Sequence, residues 1–447
     1  MINPAIFREY DIRGIAETDL NDENVELLGQ AIGTYFHLHN QNSVVIGGDV
    51  RLSTPRIMKI LIKSLRQTGC TVFDIGIVPT PVLYFSLFFT GIPNGIMVTA
   101  SHNPKEFNGF KICLNKSAIY GEEIQKIRRL VEEKNFAKGD GNYEKKEVIP
   151  DYIDFILSRV KVKSNLKVAV DTGNGTCGPI MKEILNRVNA NFEILYQEPD
   201  GNFPHHLPDP TVEKYIKDLI EKVRTQNFDL GIGLDGDGDR IGVVDENGRI
   251  IWGDVLLAIF AEKILQAQPG AKIIFEVKCS KGLIERIEEL GGKPLMYRTG
   301  HSLIKAKMKQ ENAPLAGEMS GHIFFADRYF GYDDAIYASL RLLEILSAGE
   351  KLSTLASKVP KYFSTPEIRV DTTDAQKFSI VERLKDEFKG QYPIIDIDGV
   401  RVDFGDGWGL VRASNTQPVL VLRFEAKTEA RLEEIKNLFL DKLKRLL

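Results

Sequence analysis

"FDLGIGLDGDGDR", residues 228–240, decides the architecture. An apolar run from Leu230 to Leu234 delivers the chain into a loop of three aspartates and two glycines. A run without polar alternation suits a strand covered on both faces, as in parallel sheets flanked by helices. The partners such a strand needs lie upstream: "KVAVDTGNG" (167–175), a helical stretch from Pro179 to Val188, and "FEILY" (192–196).

The same script recurs on either side. Before it come "SVVIGGD" (43–49), a helix opened by Ser53-Thr54-Pro55, "TVFDIG" (71–76) and "GIMVTA" (95–100). After it come "KIIFEVKCS" (272–280), a helix "KGLIERIEEL", "KPLMYRTG" (293–300) and "APLAGEMSGH" (313–322). β-rich runs alternating with 3.6-period helices predict an α/β fold of three similar mixed α/β domains with largely parallel sheets. The last strand of each script ends in a polar loop: TASHNP, DGDGDR or GEMSGH. Open α/β sheets take ligands beyond the carboxyl ends of their strands, so three such loops predict domains arranged around a central cleft.

From about Pro366 the pattern changes to "EIRVD", a helix through "AQKFSIVERLKDEF", strands "GVRVDF" and "VLVLRFEA", and a closing helix "EARLEEIKNLFLDKLKRLL". That is a smaller C-terminal α+β domain. The expected division is 1–150, 151–252, 253–365 and 366–447, with linkers near 138–150 and 358–366.

The bulk numbers exclude several functions. The 447 residues carry 58 Lys plus Arg against 62 Asp plus Glu, a net charge of −4. Such a balance gives no electrostatic reason to expect nucleic acid or an anionic membrane as partner, while leaving room for a local cationic pocket. Cys70, Cys113, Cys177 and Cys279 are widely spaced, which reads as reduced thiols, not a disulfide frame or zinc site. No signal-peptide pattern follows Met1 and no apolar run is long enough to span a bilayer, so a soluble cytoplasmic protein, monomeric or weakly oligomeric, is expected.

Asp235, Asp237 and Asp239 occupy alternate positions, and in an extended backbone alternate side chains share a face. Three carboxylates so close repel unless a cation sits among them. A calcium loop is the rival: Asp235, Asp237, Asp239 and Glu246 fall at positions 1, 3, 5 and 12 of one. Arg240, however, stands where its turn requires glycine, and the flanks read as strands. A hard cation with open positions suits Mg²⁺ serving a phosphate, and Arg240 is a natural phosphate contact. A solvated acidic turn is the plain alternative.

In "GLVRASNTQPVLVLRFEA" (409–426), Arg412, Ser414, Asn415 and Thr416 set a fork-shaped cation, two hydroxyls and an amide ahead of a strand. Those donors suit a phosphate held without chemistry, and a ligand-free turn fits them equally well. Glu318, Ser320 and His322 of "GEMSGH" could grip sugar hydroxyls, though alone they make an ordinary turn. His301 could open a helix; His205 and His206 read as loop structure. Ser101-His102, at the end of "GIMVTA", is a turn or helix-capping serine in isolation. Beside a carboxylate-held Mg²⁺ and a phosphate cradle it becomes a candidate phosphoryl carrier.

"FREYDIRG", "TASHNPKEFNGFKI", "LDGDGDR", "GEMSGH", "GYDDAIY" and "DGVRVDFGDGWGLVRASNTQPVLVLRFEA", in that order along the whole chain, resemble the α-D-phosphohexomutase superfamily, most of all its bacterial phosphomannomutase/phosphoglucomutase branch. The resemblance implies a fourth domain with a fold like TATA-binding proteins. It also implies a phosphoserine at Ser101 and Mg²⁺ held by Asp235, Asp237, Asp239 and a phosphoserine oxygen. Glu318 and Ser320 would grip the sugar's O3 and O4, and Arg412, Ser414, Asn415 and Thr416 the non-reacting phosphate. Tyr10, Arg13, Lys111, Lys278, His301, His322 and Arg423 match positions lining the cleft, with Lys111 or His301 as proton acceptor. Catalysis would fall to Ser101, His102, Lys111, Arg240 and His301. Departures are Gly48, where relatives often carry arginine, and Phe107, where tyrosine is common.

The implied reaction interconverts hexose 1-phosphate and hexose 6-phosphate, of mannose or glucose, through a hexose 1,6-bisphosphate that also reprimes the enzyme. The methionine in "GEMSGH" and the Ser-Asn-Thr-Gln order argue against the glucosamine mutases, which tend to Gln-Ser-Gly-His and Ser-Gly-Thr-Glu. Phosphoglucosamine mutase remains an alternative, as do a sugar-phosphate phosphatase and a non-catalytic sugar-phosphate binder.

Overall fold

The computed structural model describes residues 2–163, 166–414 and 418–446, so Asn415 and Thr416 lie outside the described residues. The chain forms two compact units, Met1–Gly253 with Ser320–Thr354, and Asp254–Met319 with Leu355–Leu447. Among the described residues no helix is long and apolar enough to cross a membrane, and the four cysteines are buried and form no disulfide.

The first unit holds two mixed sheets. In the first sheet, Gly95–Val98, Ser43–Gly48, Thr71–Ile77 and Tyr143–Lys145 run parallel. Phe107–Leu114 pairs antiparallel with Gly95–Val98, and Ile12–Ile15 in turn pairs antiparallel with Phe107–Leu114 at the edge. The expected parallel strands are therefore present, but Phe107–Leu114 was not anticipated: Asn108, Gly109 and Lys111 interrupt its apolar pattern. Helices cover the sheet for legible reasons. Asp22–Leu38 is capped by the Asn21 side chain accepting from Asn24 N, and buries Val25, Leu28, Ile32 and Tyr35 at helical spacing. Thr54–Gln67 buries Ile57, Met58, Leu61 and Leu65. Val44, Ile46, Ile96 and Val98 are fully enclosed, each worth roughly 1.5–3 kcal/mol relative to exposure. A Cβ at Gly48 would stand 2.4 Å from Thr54 Cγ2 and 2.6 Å from Met58 Sδ, so the glycine here is matched to the helix packed on it.

The second sheet pairs Leu230–Leu234 in parallel with Lys167–Asp171, and that strand in parallel with Asn191–Leu195. Leu230–Leu234 then turns back into Ile241–Asp245, with Leu234 opposite Ile241. The aspartate loop is thus the tip of a β-hairpin and not an extended strand.

In the second unit Lys293–Tyr297, Lys272–Glu276 and Leu315–Gly317 run parallel. Its remaining sheet is antiparallel and carries Val419–Ala426, Gly407–Ala413 and Val400–Asp403 at its centre. Helices Lys377–Phe388 and Glu429–Lys444 pack Leu384, Phe388, Ile435 and Phe439 against Val402, Val411, Leu422 and Phe424. Gly407–Ala413, central here, was missed because its tryptophan, arginine and glycines mask the strand pattern.

Candidate active site

Two loops of the first unit meet. One follows Gly95–Val98 and carries Ser101; the other is the hairpin tip that carries the aspartates. Ser101 Oγ donates to Asp235 Oδ2 at 2.7 Å and lies 3.0 Å from His102 Nδ1. The approach is close enough that a Cβ at Gly236 would stand 2.7 Å from the Ser101 carbonyl oxygen. Gly238 takes φ +77, which lets the tip double back on itself.

Asp235, Asp237 and Asp239 offer oxygens that all lie within 4.8 Å of one another, each residue fully buried or nearly so. The expected convergence is present, though it comes from the hairpin turn and not from strand alternation. Asp235 Oδ1 accepts from the backbone N–H groups of Asp239 and Arg240. Asp237 Oδ2 accepts from Thr80 Oγ1 at 2.6 Å and from Lys111 Nζ at 2.7 Å, and Asp239 Oδ2 accepts from Lys111 at 2.5 Å. Asp237 Oδ1 and Asp239 Oδ1 are buried with no hydrogen bond among the described residues. Buried carboxylate oxygens facing one another without donors are what a hard cation would satisfy, so the set fits Mg²⁺. Charge points the same way. Burial first, then the negative charge of Asp239 and Asp237, pushes the Asp235 carboxyl well above its usual range. Burial opposes the charge on Lys111, but Asp237 and Asp239 hold its ammonium above the ordinary range.

Arg240 stands at the other side of the serine. Its Nε donates to His322 Nε2 at 2.9 Å, and its Nη1 lies 3.5 Å from His102 Nε2. Since His322 Nε2 accepts, its proton is on Nδ1, which faces Asp333 Oδ2 at 3.0 Å. Burial, then the positive charge of Arg240 and Arg13, holds the His102 imidazole well below its ordinary range and keeps it neutral. Arg13 ties the N-terminal segment to the serine loop through Asn103 Oδ1 at 2.8 Å, and Tyr10 is half-buried on the same segment. Ser320 and His322 complete the residues of this unit that the sequence singled out.

Lys278, His301, Glu318, Arg412, Ser414 and Arg423 belong to the second unit, so the loop "GEMSGH" is where the chain passes from one unit to the other. His301 opens the helix His301–Glu311, as expected. Glu318 Oε1 accepts from Gly300 N at 2.6 Å, immediately before that helix. Arg412 Nε donates to Asp398 Oδ2 at 3.0 Å, and the same oxygen accepts from Thr299 N. Arg423 Nη1 donates to the carbonyl of Lys278 at 2.5 Å. Lys278 lies 3.4 Å from Glu367 and 4.0 Å from Glu276; despite burial, these carboxylates hold its ammonium above the ordinary range.

Sequence reasoning overlooked several residues that shape this arrangement. Thr80 anchors Asp237, Asp333 orients His322, and Asp398 orients Arg412. Asp49 and Arg51 sit beneath the serine loop. Asp333 and Asp398 lie in the quoted stretches "GYDDAIY" and "DGVRVDF", and Asp49 and Arg51 in "GGDVR" (47–51); Thr80 gave no signal of its own.

The sequence matches four family descriptions in succession. "Phosphoglucomutase/phosphomannomutase, alpha/beta/alpha domain I" covers residues 4–138, domain II of that series 150–248, domain III 252–363, and "C-terminal domain" 367–442. A phosphomannomutase/phosphoglucomutase of Pseudomonas aeruginosa is 48% identical over 442 residues, which cover 98% of this chain and 96% of that protein. A phosphoglucomutase of Neisseria meningitidis is 42% identical over 97% of this chain and 95% of its own length. A crystal structure of a phosphoglucomutase/phosphomannomutase family protein from Burkholderia thailandensis superposes with a TM-score of 0.95 at 41% identity, covering 100% of this chain and 98% of that one.

Proposed function

The chain belongs to the phosphoglucomutase/phosphomannomutase family, and on that premise we propose how its residues carry out the reversible exchange of hexose 1-phosphate and hexose 6-phosphate. The carrying observation is Ser101 Oγ, 2.7 Å from a buried carboxylate that belongs to a cation-binding trio. A hydroxyl so placed can bear a phosphoryl group whose charge is met from two sides.

Phospho-Ser101 donates to the free hydroxyl of the bound sugar phosphate. The P–Oγ bond breaks, a new P–O bond forms to the sugar oxygen, the sugar hydroxyl proton passes to a base, and Ser101 Oγ takes up a proton to become a hydroxyl again. The hexose 1,6-bisphosphate then presents its other phosphate, and the reverse transfer restores phospho-Ser101. Such transfer calls mainly for positioning and charge neutralisation. Mg²⁺, held by Asp235, Asp237, Asp239 and a phosphoserine oxygen, would supply Lewis-acid stabilisation of the transferring group. Arg240, braced by His322, presents its guanidinium as a second neutralising group, and neutral His102 donates to the serine oxygen. Lys111 is a charged donor while it bridges two carboxylates, and accepts a proton only when that pairing is broken. His301 is the other base candidate.

At the far end of the sugar, Arg412, Ser414, Asn415, Thr416 and Arg423 serve the non-reacting phosphate, and Glu318 and Ser320 the O3 and O4 hydroxyls. Reading O3 and O4 leaves C2 unread, so both glucose and mannose phosphates serve as substrates. Tyr10, Arg13 and Lys278 contribute further substrate contacts. The four segments 1–150, 151–252, 253–365 and 366–447 are proposed as domains.

The test is a coupled assay on glucose 1-phosphate and mannose 1-phosphate, with and without Mg²⁺ and glucose 1,6-bisphosphate, together with mass analysis of the Ser101 peptide. Expected are turnover of both sugars, a lag shortened by bisphosphate, and one phosphoryl group on the peptide. Full activity in Ser101→Ala, or release of inorganic phosphate in step with sugar turnover, would refute the reading.

A further inference from the structure

Ser101 holds φ at +53, the left-handed region, which costs a residue with a side chain about 1–3 kcal/mol. Something must keep it there. Both backbone polar groups of Ser101 trace to one carboxylate. Its N–H donates to Thr99 Oγ1 at 2.9 Å, and that hydroxyl donates to Asp49 Oδ2 at 2.8 Å. Its carbonyl accepts from Arg51 Nη2 at 2.8 Å, and Arg51 Nε donates to the same Asp49 oxygen at 3.1 Å.

Arg51 reaches further along the loop. Nη2 also donates to the carbonyl of Asn103 at 2.6 Å, and Nη1 to those of Pro104 and Phe107 at 2.7 and 3.0 Å. One guanidinium therefore gathers four carbonyls from residues 101–107, with no part of the side chain exposed. Asp49 is fixed in turn: its Oδ1 accepts from Arg51 N at 3.0 Å and from Thr54 Oγ1 at 2.8 Å. The ring of Phe203 lies 5.4 Å from the guanidinium carbon. Only a planar fork with five donors can serve a carboxylate and four carbonyls at once; a lysine presents three donors from a single point. None of these contacts involves the metal-binding aspartates directly, apart from a longer 3.2 Å approach of Thr99 to Asp237.

We propose that Asp49 and Arg51 are positioning residues for phosphoryl transfer, holding Ser101 in its left-handed conformation so that Oγ is aimed at the carboxylate trio. The proposal rests on the reading of Ser101 as the phosphoryl carrier. Releasing the clamp lets the loop relax toward ordinary φ and moves Oγ away from the transfer position, while the groups that bind the sugar phosphate stay as they are.

Arg51→Lys and Asp49→Asn test it, each assayed with glucose 1-phosphate, Mg²⁺ and trace bisphosphate, and normalised to folded protein by a melting curve. Expected is a fall in kcat of about 10²-fold, the usual cost of misplacing a reacting group by about 1 Å, with KM within about threefold of the parent. Single-turnover transfer from phospho-Ser101 to glucose 6-phosphate slows by the same factor. A purely structural role would instead lower the melting temperature and leave kcat per folded molecule unchanged, and that result overturns the proposal. So does failure of both variants to fold at the assay temperature, which makes the pair a folding determinant. A parent protein that is inactive and never phosphorylated at Ser101 sinks the carrier reading itself, and this proposal with it; an active parent with unaffected variants sinks only the clamp.

Discussion

Lys111 Nζ lies 2.7 Å from Asp237 Oδ2 and 2.5 Å from Asp239 Oδ2, so a buried ammonium engages one oxygen of each carboxylate and leaves the other oxygen of each without a hydrogen bond among the described residues. The lysine therefore neutralises part of the charge of the aspartates, and the remaining oxygens are the ones a metal ion would take.

Lys111→Met should lower the melting temperature in EDTA, because stripping one partner from a buried ion pair costs about 3–5 kcal/mol. Added Mg²⁺ should recover more stability in the variant than in the parent. Equal Mg²⁺-induced shifts in the two proteins would show that the lysine plays no part in balancing the trio.

Asp239→Asn preserves volume but removes a charge from the metal set. The Mg²⁺-dependent rise in melting temperature should shrink or vanish, and half-saturation of activity by Mg²⁺ should move up by at least about tenfold, the scale seen when a site's supporting groups are lost. Titration of both proteins with Mg²⁺ under the same conditions decides it; an unchanged half-saturation would place the ion elsewhere.

Gly236→Ala puts a methyl group 2.7 Å from the Ser101 carbonyl oxygen. Overpacking of this kind costs about 1–3 kcal/mol when the neighbour cannot yield. The serine loop is the element that must move, so turnover should drop more than tenfold or so, the scale of a sub-ångström displacement of a reacting group. Parental turnover in a folded Gly236→Ala would mean the loop absorbs the methyl without moving Oγ.

His206 Nε2 lies 3.1 Å from Asp171 Oδ2. Burial works against its charge, yet the hydrogen bond and attraction to Asp171 hold the imidazole above its ordinary range. The folded state therefore binds this proton more tightly than the unfolded state. The stabilisation is complete below the unfolded value of about 6.5 and is lost as pH rises through the higher folded value. Melting curves between pH 6 and pH 8.5 should show a downward slope in the parent that flattens in His206→Gln, with little change in kcat. Identical slopes would remove His206 from the pH response.

Much of the fold could be read directly. Ser43–Gly48, Leu230–Leu234 and Lys272–Glu276 announce themselves because central parallel strands are covered on both faces and so read as apolar runs. Phe107–Leu114 did not, because Lys111 points into the charged site from the middle of a strand. Gly407–Ala413 did not, because two glycines, a tryptophan and Arg412, whose guanidinium pairs with Asp398, break up its apolar pattern. Function breaks the pattern from which strands are recognised.

For the site, local spacing nominated the three aspartates and Arg240, and Ser101 stood out only in combination with the other polar loops. Local spacing gave the wrong reason for the convergence of the aspartates: strand alternation was assumed, whereas a hairpin between Leu234 and Ile241 brings them together. Composition, helical periodicity and loop chemistry along the chain thus determined the class of fold and the residues that bear charge. Folding alone decided that Asp49 and Arg51 lie under residues 101–107, that Lys111 bridges two aspartates, and that Arg240 donates to His322. Those pairings join residues dozens to more than a hundred positions apart. Hydrogen bonds of a few ångströms depend on packing in three dimensions, which no one-dimensional pattern encodes.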